Sequence, residues 1–392
     1  MRGLYAKEGI GMNFSGNKRQ KKIAGIFLVG LALLVTGLGV FSYIYGNRCF
    51  EHYRVESKVE RSDSNNVSYQ FHNGNILKFS RSGISEIDNS GKSLWNGGYE
   101  MKRPQVDISG DYVVVADVDG KDFYVFNGKD EGISIETNLP IVRAKVSEQG
   151  IVAVLLKDKD SNVLNLYNPY VPAGKLLVEI PTNVAEEGYP IDFDVSPDGK
   201  SVVTSHLVVA GNTIDNKVSF YNFTEVGQDK NTLVGGKSFG EEMVAKIEFA
   251  DDDRVVVFRE KGCTVFREMR QPDVAAEMNF ADEIKSMAFD GDTIAVVTAK
   301  EGKLDSQKLF LYDSRGKEKL QQNISYEYDD MQIYGNEIIF VGNRVCNIMR
   351  ANGHEKFKYR FQQEIDAVFP TSDSNEYTLI DNLAIHKISL SS

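Results

Sequence analysis

The sequence is poor in cysteine, tryptophan, histidine and proline, with three, one, five and nine in 392 residues. Three cysteines exclude a disulfide-stapled mini-protein. Nine prolines rule out a collagen-like chain, and 42% hydrophobic residues rule out a wholly disordered one. Basic residues are also short, 45 Lys+Arg against 56 Asp+Glu, for a net charge of −11. The imbalance is uneven: residues 1–49 carry +6 and residues 50–392 carry −17. An acidic body argues against nucleic acid as a partner, because phosphate backbones are held by clustered Lys and Arg. At this length the chain holds two or three average domains or one large repeat domain.

One long apolar run is present. Ile23 to Tyr45 is 23 residues without a charge. As a helix it rises about 35 Å, enough to cross a hydrocarbon core of roughly 30 Å. Lys18, Arg19, Lys21 and Lys22 precede it, and Arg48 alone follows closely. The positive-inside rule therefore predicts residues 1–22 as a cytoplasmic basic tail, 23–45 as the transmembrane helix and the rest outside, with Tyr43 and Tyr45 as interfacial anchors. The run exceeds the usual signal-peptide core of about 7–15 residues, and no small-x-small cleavage site follows Ser42-Tyr43-Ile44-Tyr45-Gly46. An uncleaved signal anchor is the expectation, with a cleaved signal as the alternative. No G-x-x-x-G signals helix pairing.

Residues 46–65 read as a polar juxtamembrane stalk. From residue 66 a repeat begins. A short alternating strand recurs as ISEID (84–88), FYVFN (123–127), LNLYN (164–168), SFYN (219–222), TVFR (264–267), LFLYD (309–313), CNIMR (346–350) and HKIS (386–389). Its end residues are spaced 39, 41, 54, 45, 46, 37 and 39 apart, a mean of 43. A more continuously apolar strand precedes each copy, as in YVVVAD and IAVVTA. A weaker one comes before that, as in Val106-Asp107-Ile108, Phe193-Asp194-Val195 and Ile247-Glu248-Phe249. Asn73-Gly74, Asp119-Gly120, Asp198-Gly199 and Asn352-Gly353 supply turns that need positive φ. Three or four short strands every 43 residues predict an all-β fold, a β-propeller over residues 66–392. Eight copies favour eight blades; seven is the alternative if 66–102 pairs irregularly. The last copy ends after its third strand, so Tyr53–Arg61 is the candidate for the missing outer strand that closes the ring.

Three copies share a longer pattern: Asp88-Asn-Ser-Gly91-Lys92-Ser-Leu-Trp95, Asp313-Ser-Arg-Gly316-Lys317-Glu-Lys-Leu320 and Arg350-Ala-Asn-Gly353-His354-Glu-Lys-Phe357. The form D-x-x-G-K-x-x-W resembles the blades of quinoprotein-like propellers, where the aromatic docks between neighbouring blades. Val195-Ser-Pro-Asp-Gly-Lys-Ser-Val-Val203 is similar to the turn of WD40-like propellers. With the amino-terminal anchor and the stretches Asn75–Gly83 and Trp95–Met101, the whole chain resembles a family of membrane-anchored propeller proteins of unknown function from Gram-positive gut anaerobes. That resemblance implies fold and topology and brings no site residue.

No catalytic, cofactor-binding or metal residue is assigned from the sequence, and no cofactor. His52, His72, His206, His354 and His386 lack metal-ligand spacing. Cys263 and Cys346 fall in strands of non-adjacent repeats and read as buried thiols. Cys49 lacks a lipidation context, and an interchain Cys49 link is the alternative. Asp117-Val-Asp119-Gly120-Lys-Asp122 imitates a calcium loop, yet its twelfth position is Gly128 and not Glu. Asp251-Asp252-Asp253 and Tyr326-Glu-Tyr-Asp-Asp330 read as solvated turns. No G-x-S-x-G, H-E-x-x-H or G-x-x-x-x-G-K-[ST] occurs. Thr182–Pro190 and His206–Lys217 lengthen one repeat, and such insertions read equally as partner-binding loops or as tolerated surface insertions. The expected function is a binding or scaffold module for a protein or cell-envelope partner. A quinoprotein-like or hydrolytic enzyme at the propeller channel and an extracytoplasmic sensor are the alternatives.

Overall fold

The computed structural model describes residues 18–61, 66–129, 131–159, 161–171, 175–224, 232–300, 303 and 306–391. Residues 1–17 of the basic tail and 62–65 of the stalk lie outside the described residues. Contacts divide the chain into two units, 1–48 and 49–392.

The first unit is one helix, Lys18–Gly46. It begins at the basic cluster, so Lys18 to Lys22 form its opening turn. From Ile26 to Tyr45 its large apolar side chains are exposed along the whole length. A helix that is apolar all round and unburied suits lipid. Thr36, inside the span, donates its hydroxyl to the Ala32 carbonyl at 2.8 Å, so it needs no water there. At the far end Tyr45 stacks on Phe41, and the Arg48 guanidinium lies 4.4 Å from the Tyr45 ring centre.

The second unit is an eight-bladed propeller. Each blade is an antiparallel four-stranded sheet. Blade 1 spans residues 68–98, blade 2 104–136, blade 3 141–183, blade 4 189–238, blade 5 244–279, blade 6 284–323 and blade 7 330–360. Blade 8 takes three strands from 365–391 and its outer strand from His52–Glu60. The register runs from His52 opposite Ser391 to Glu60 opposite Ala384, with a bulge between Val55 and Ser57. The first blade pairs regularly, so eight blades hold and the seven-blade alternative falls away. Residues 50–61 thus belong to the propeller and not to a spacer before it.

Burial explains the ring. The second strands, YVVVAD and IAVVTA among them, are covered on both faces by neighbouring blades. Eight apolar clusters result, each at one blade-to-blade interface, and together they run round the whole circle. Leu77, Trp95 and Phe126 fill the interface of blades 1 and 2. Val154, Phe123 and Tyr167 fill the next, and Ile76, Ile380 and Phe369 join blade 8 back to blade 1. No blade buries its faces alone, so stability comes from closure.

The shared eight-residue motif is a device for these interfaces. Asp88 and Asp313 each accept two backbone N–H groups of the following turn, from Ser90 and Lys92 and from Arg315 and Lys317. Gly91, Gly316 and Gly353 adopt φ of 81°, 82° and 89°, where a side chain is strained. The terminal Trp95 then stacks on Phe126 of the next blade, ring centres 5.5 Å apart. Leu320 and Phe357 dock the same way against blades 7 and 8.

Candidate functional site

The first strand of every blade lines one central channel of about 610 Å³. Blades 2 to 5 contribute Asp107, Lys145, Asp194, Lys246 and Glu248, with Phe249 among them. Blades 1, 7 and 8 contribute Tyr69, Phe71, Tyr334 and Phe369, with Asp330 and Asp366 among them. In an eight-membered ring blade 1 stands opposite blade 5, blade 8 opposite blade 4 and blade 7 opposite blade 3. The cluster of Phe71, Tyr334 and Phe369 therefore stands across the ring from both lysines, with Asp330 and Asp366 beside it.

The charged wall is a network across four blades. Lys145 Nζ lies 3.1 Å from Asp107 Oδ1 and 3.8 Å from Asp194 Oδ1. Lys246 pairs with Glu248 at 2.6 Å, and the Arg143 guanidinium pairs with Asp192. The carboxylates also staple neighbouring first strands through backbone N–H groups. Asp107 accepts from Val146 at 2.9 Å, Asp192 from Ile247 at 2.8 Å and Asp194 from Phe249 at 2.7 Å. Burial pushes Asp107 and Asp192 above the usual carboxylate range. It pushes Asp194 up to about 8, with the Glu248 and Asp107 charges adding to the effect. Burial alone would lower Lys145, but Asp107, Asp194, Glu248 and Asp192 outweigh it and hold the ammonium form. Lys145 and Lys246 together keep Glu248 ionised against its burial.

The aromatic wall is packed ring on ring. Phe71 and Tyr334 meet edge-on with centres 4.9 Å apart, and Phe369 lies 6.2 Å and 6.4 Å from them. Beside it Arg61, the residue that follows the ring-closing strand, lies over Tyr69 and pairs with Asp366 at 2.5 Å. It also donates to the Asp381 carbonyl at 2.5 Å. The same Asp381 carboxylate holds His386 at 2.8 Å and accepts from Leu383 and Ala384.

Of the residues weighed in the sequence, Asp330 lines the channel, and the others described here lie elsewhere and do structural work. In the calcium-like loop Asp117 accepts the N–H groups of Lys102 and Arg103, and Asp119 pairs with Arg103. In the triple aspartate Asp251 caps Asp253, Asp252 accepts from Asp198 of blade 4 and Asp253 accepts from Met269. Tyr326 donates to Glu355, and the Tyr328 hydroxyl meets Ser286 at 2.6 Å. His72 is buried between Glu86 and the Gly110 carbonyl. His206 is buried in blade 4, and that burial lowers it to about 4. Cys263 and Cys346 are buried free thiols in blades 5 and 7, while Cys49 is exposed. Among the described residues no group of three or more His, Cys, Asp or Glu is arranged to share a metal ion.

Sequence reasoning missed the channel network, though its signal was visible. Asp107, Asp194 and Glu248 are the charged centres of the weak first-strand triplets, each set between two apolar residues. That alternation points the charge to the face away from the blade core.

The Thr182–Pro190 and His206–Lys217 insertion is a projecting ribbon. The second and third strands of blade 4, Ser201–Ala210 and Thr213–Asn222, have ten residues each, where the same strands of other blades have five to eight. The first strand ends its pairing at Tyr189 opposite Leu207, so Val208 to Ala210 and Thr213 to Asp215 pair only with one another. A four-residue helix, Val184–Glu187, packs at its base. Tyr189, Val209 and Ile214 are exposed there. The ribbon tip joins second to third strand, as Leu383 does in blade 8, where Arg61 N–H bonds the Leu383 carbonyl. Phe50, where the propeller chain begins, instead bonds Lys356 beside the third-to-fourth turn of blade 7. Strand alternation sets these on opposite faces, the near face at Phe50 and the far face at the ribbon.

Comparison with solved structures gives the same architecture at low identity. The chain is similar to BamB from Moraxella catarrhalis, at 12% identity and a TM-score of 0.52, over 86% of this chain and 100% of that one. It is similar to Sqt1 from Chaetomium thermophilum, at 10% identity and a TM-score of 0.56, over 87% and 100%. Sqt1 bound to the N-terminus of the ribosomal protein L10 matches at 10% identity and a TM-score of 0.51, over 83% and 92%. No curated protein sequence matches. A family profile described as a family of unknown function (DUF5711) matches residues 46–390, and the chain belongs to that family.

Proposed function

We propose that this protein is anchored by the helix at Lys18–Gly46, with residues 1–22 in the cytoplasm and the propeller outside. The propeller serves as a binding or scaffold module for a protein or cell-envelope partner. The projecting ribbon of blade 4 carries this reading. It displays Tyr189, Val209 and Ile214 at the base and tip of the ribbon. Apolar side chains exposed together on a projecting element mark interaction surfaces. The far face lies opposite Phe50, the point where the chain enters the propeller. A related fold, Sqt1, is recorded with a bound protein segment, which supports a binding role for such a scaffold.

Photo-crosslinking in the native host tests the role. Crosslinkers at Val209 or Ile214 should capture one recurrent partner, and one at Asn352 on the near face should not. Identical patterns from both faces overturn the assignment. Cys49, the one exposed cysteine among the described residues, tests the topology. A membrane-impermeant maleimide at pH 8.5 should label it in intact cells, and Cys49→Ser should abolish the signal. Labelling only after lysis refutes the orientation.

A further inference from the structure

The near face carries a pair of tyrosines that are held in place and yet open to solvent. Tyr112 follows the first turn of blade 2, and Tyr170 sits in the third-to-fourth turn of blade 3. Their rings meet edge-on with centres 5.6 Å apart. Between them lies Gly150, with φ of 74°. A Cβ there would come within 2.7 Å of the Tyr170 ring and 2.8 Å of the Tyr112 ring, so both rings close on bare backbone. The turn under them is fixed. The Ser147 hydroxyl accepts from the N–H groups of Gln149 and Ile151, and the Gly150 N–H bonds the Ser147 carbonyl at 2.9 Å. Asn168 accepts the Tyr170 N–H at 3.0 Å and steadies the backbone that carries the ring. Tyr170 is nevertheless 43% exposed. Its surroundings are polar: Glu148 and Gln149 stand exposed on the same turn as Gly150, and Asp111 stands exposed next to Tyr112. A rigid ring bounded by carboxylate and carboxamide acceptors suits a ligand with an apolar face and a rim of hydroxyl donors.

We propose that Tyr170, with Tyr112 edge-on against it, is a stacking platform for a neutral β-linked polysaccharide strand, whose hydroxyls donate to Glu148, Gln149 and Asp111. In a β-linked glucose or N-acetylglucosamine unit the ring hydrogens are axial. Each face of the sugar is therefore a patch of C–H groups, and the hydroxyls point outward round the rim. The C–H face meets the tyrosine and the rim meets the acceptors. A tyrosine offers this contact cheaply, because it has few torsions to fix, and Gly150 and Asn168 fix the backbone beneath it. The carboxylates of Asp111 and Glu148 disfavour an acidic sugar. Burial, with Tyr112 adding to it, pushes the Tyr170 hydroxyl up to about 12, so the platform stays uncharged at ordinary pH. This site lies on the other face from the ribbon, takes another class of ligand and does not rest on that reading.

The test is calorimetry and saturation-transfer NMR on the full chain, in a detergent without a sugar headgroup. The probe is chitohexaose, a neutral β-1,4-linked hexamer of N-acetylglucosamine. A β-1,4-linked hexaglucuronate is the acidic comparison, and benzyl alcohol is the one that any apolar patch would take. Chitohexaose should bind at millimolar concentration or below, with transfer strongest to the ring protons of one sugar face, and neither comparison should match it. Tyr170→Leu keeps apolar bulk, loses the flat ring and should weaken chitohexaose about tenfold. Tyr170→Phe should retain most of the binding. Leu176 is exposed at the start of the outer strand of blade 3, and Leu176→Ala should leave the sugar bound. Tyr170 is exposed, so an unchanged melting temperature is expected of its variants and shows that they fold. Absence of chitohexaose binding at millimolar concentration overturns the proposal, as does binding that survives Tyr170→Leu or that benzyl alcohol equals. Crosslinking from Val209 is read on the far face, so the two readings fail separately.

Discussion

Replacing Trp95 with alanine tests whether closure depends on the docked aromatic. Trp95 is 5% exposed and stacked on Phe126 of the next blade. Its indole N–H donates to Glu86 Oε2, while Asn75 and His72 hold Glu86 Oε1 at 2.9 Å and 3.2 Å. Removing a buried tryptophan side chain costs about 3–5 kcal/mol through lost burial and the cavity left behind. Taking a donor from the buried Glu86 carboxylate adds about 1–3 kcal/mol. The variant Trp95→Ala is expected to lose roughly 5 kcal/mol, which lowers the melting temperature by roughly 10 °C. Trp95→Phe keeps a ring on Phe126 and loses only the N–H, so it should cost about 1–3 kcal/mol. Far-UV circular dichroism of the full chain in detergent, followed through urea and thermal unfolding, gives both values. It does not depend on the tryptophan signal the variants remove. A loss below about 1 kcal/mol for Trp95→Ala, or equal losses for the two variants, refutes the reasoning.

Other perturbations follow from the same structure. Gly316 and Gly74 share a positive φ, 82° and 85°, but a Cβ at Gly316 would come within 2.5 Å of Ala276, whereas nothing stands near Gly74. Gly74→Ala should cost about 1 kcal/mol by urea unfolding and Gly316→Ala clearly more, by about 1–3 kcal/mol of overpacking; equal costs would contradict the close approach. Arg61→Ala removes the tie between the ring-closing strand and blade 8 and should cost about 2 kcal/mol, with early loss of hydrogen-exchange protection in His52–Glu60. Protection unchanged there would sink that assignment. The folded pKa of Asp194, about 8, exceeds the ordinary carboxyl value of 3.8, so the folded chain holds the extra proton between them. The stability this group contributes is whole below about pH 4 and is lost as pH rises towards 8. Asp194→Asn should therefore gain on the parent steadily across that range in urea unfolding, and a difference that stays constant from pH 4 to pH 8 would refute it.

Much of the fold was readable because its causes are local or periodic. The amino-terminal helix was legible as 23 uncharged residues behind four basic ones, a run long and apolar enough to cross a membrane. Blade count followed from the recurring strand that ends at residues such as Phe126 and Tyr312. The ring-closing strand followed from a deficit, a last repeat one strand short. The docking role of Trp95 rode on the turn motif before it, because Asp88, Gly91 and Trp95 act within eight residues.

The channel network was not readable in the same way. Asp107, Lys145, Asp194 and Glu248 are separated by 38, 49 and 54 residues and sit in four blades. Each looks like an ordinary polar position on a half-exposed strand. The ribbon was seen as a long interval, yet only the pairing showed that Tyr189 is the last partner of the second strand, leaving Val209 and Ile214 uncovered.

Taken alone, the sequence determined the propeller, its eight repeats, its apolar amino-terminal helix and the strand that shuts the ring. Each of these rests on short-range periodicity, turn chemistry or uninterrupted hydrophobicity. Tertiary structure alone decided which charges meet in the channel, which aromatics oppose them and which face bears the ribbon. The reason is closure: the first strands share no sequence neighbourhood, and only the packing of eight interfaces in a circle brings them round one axis.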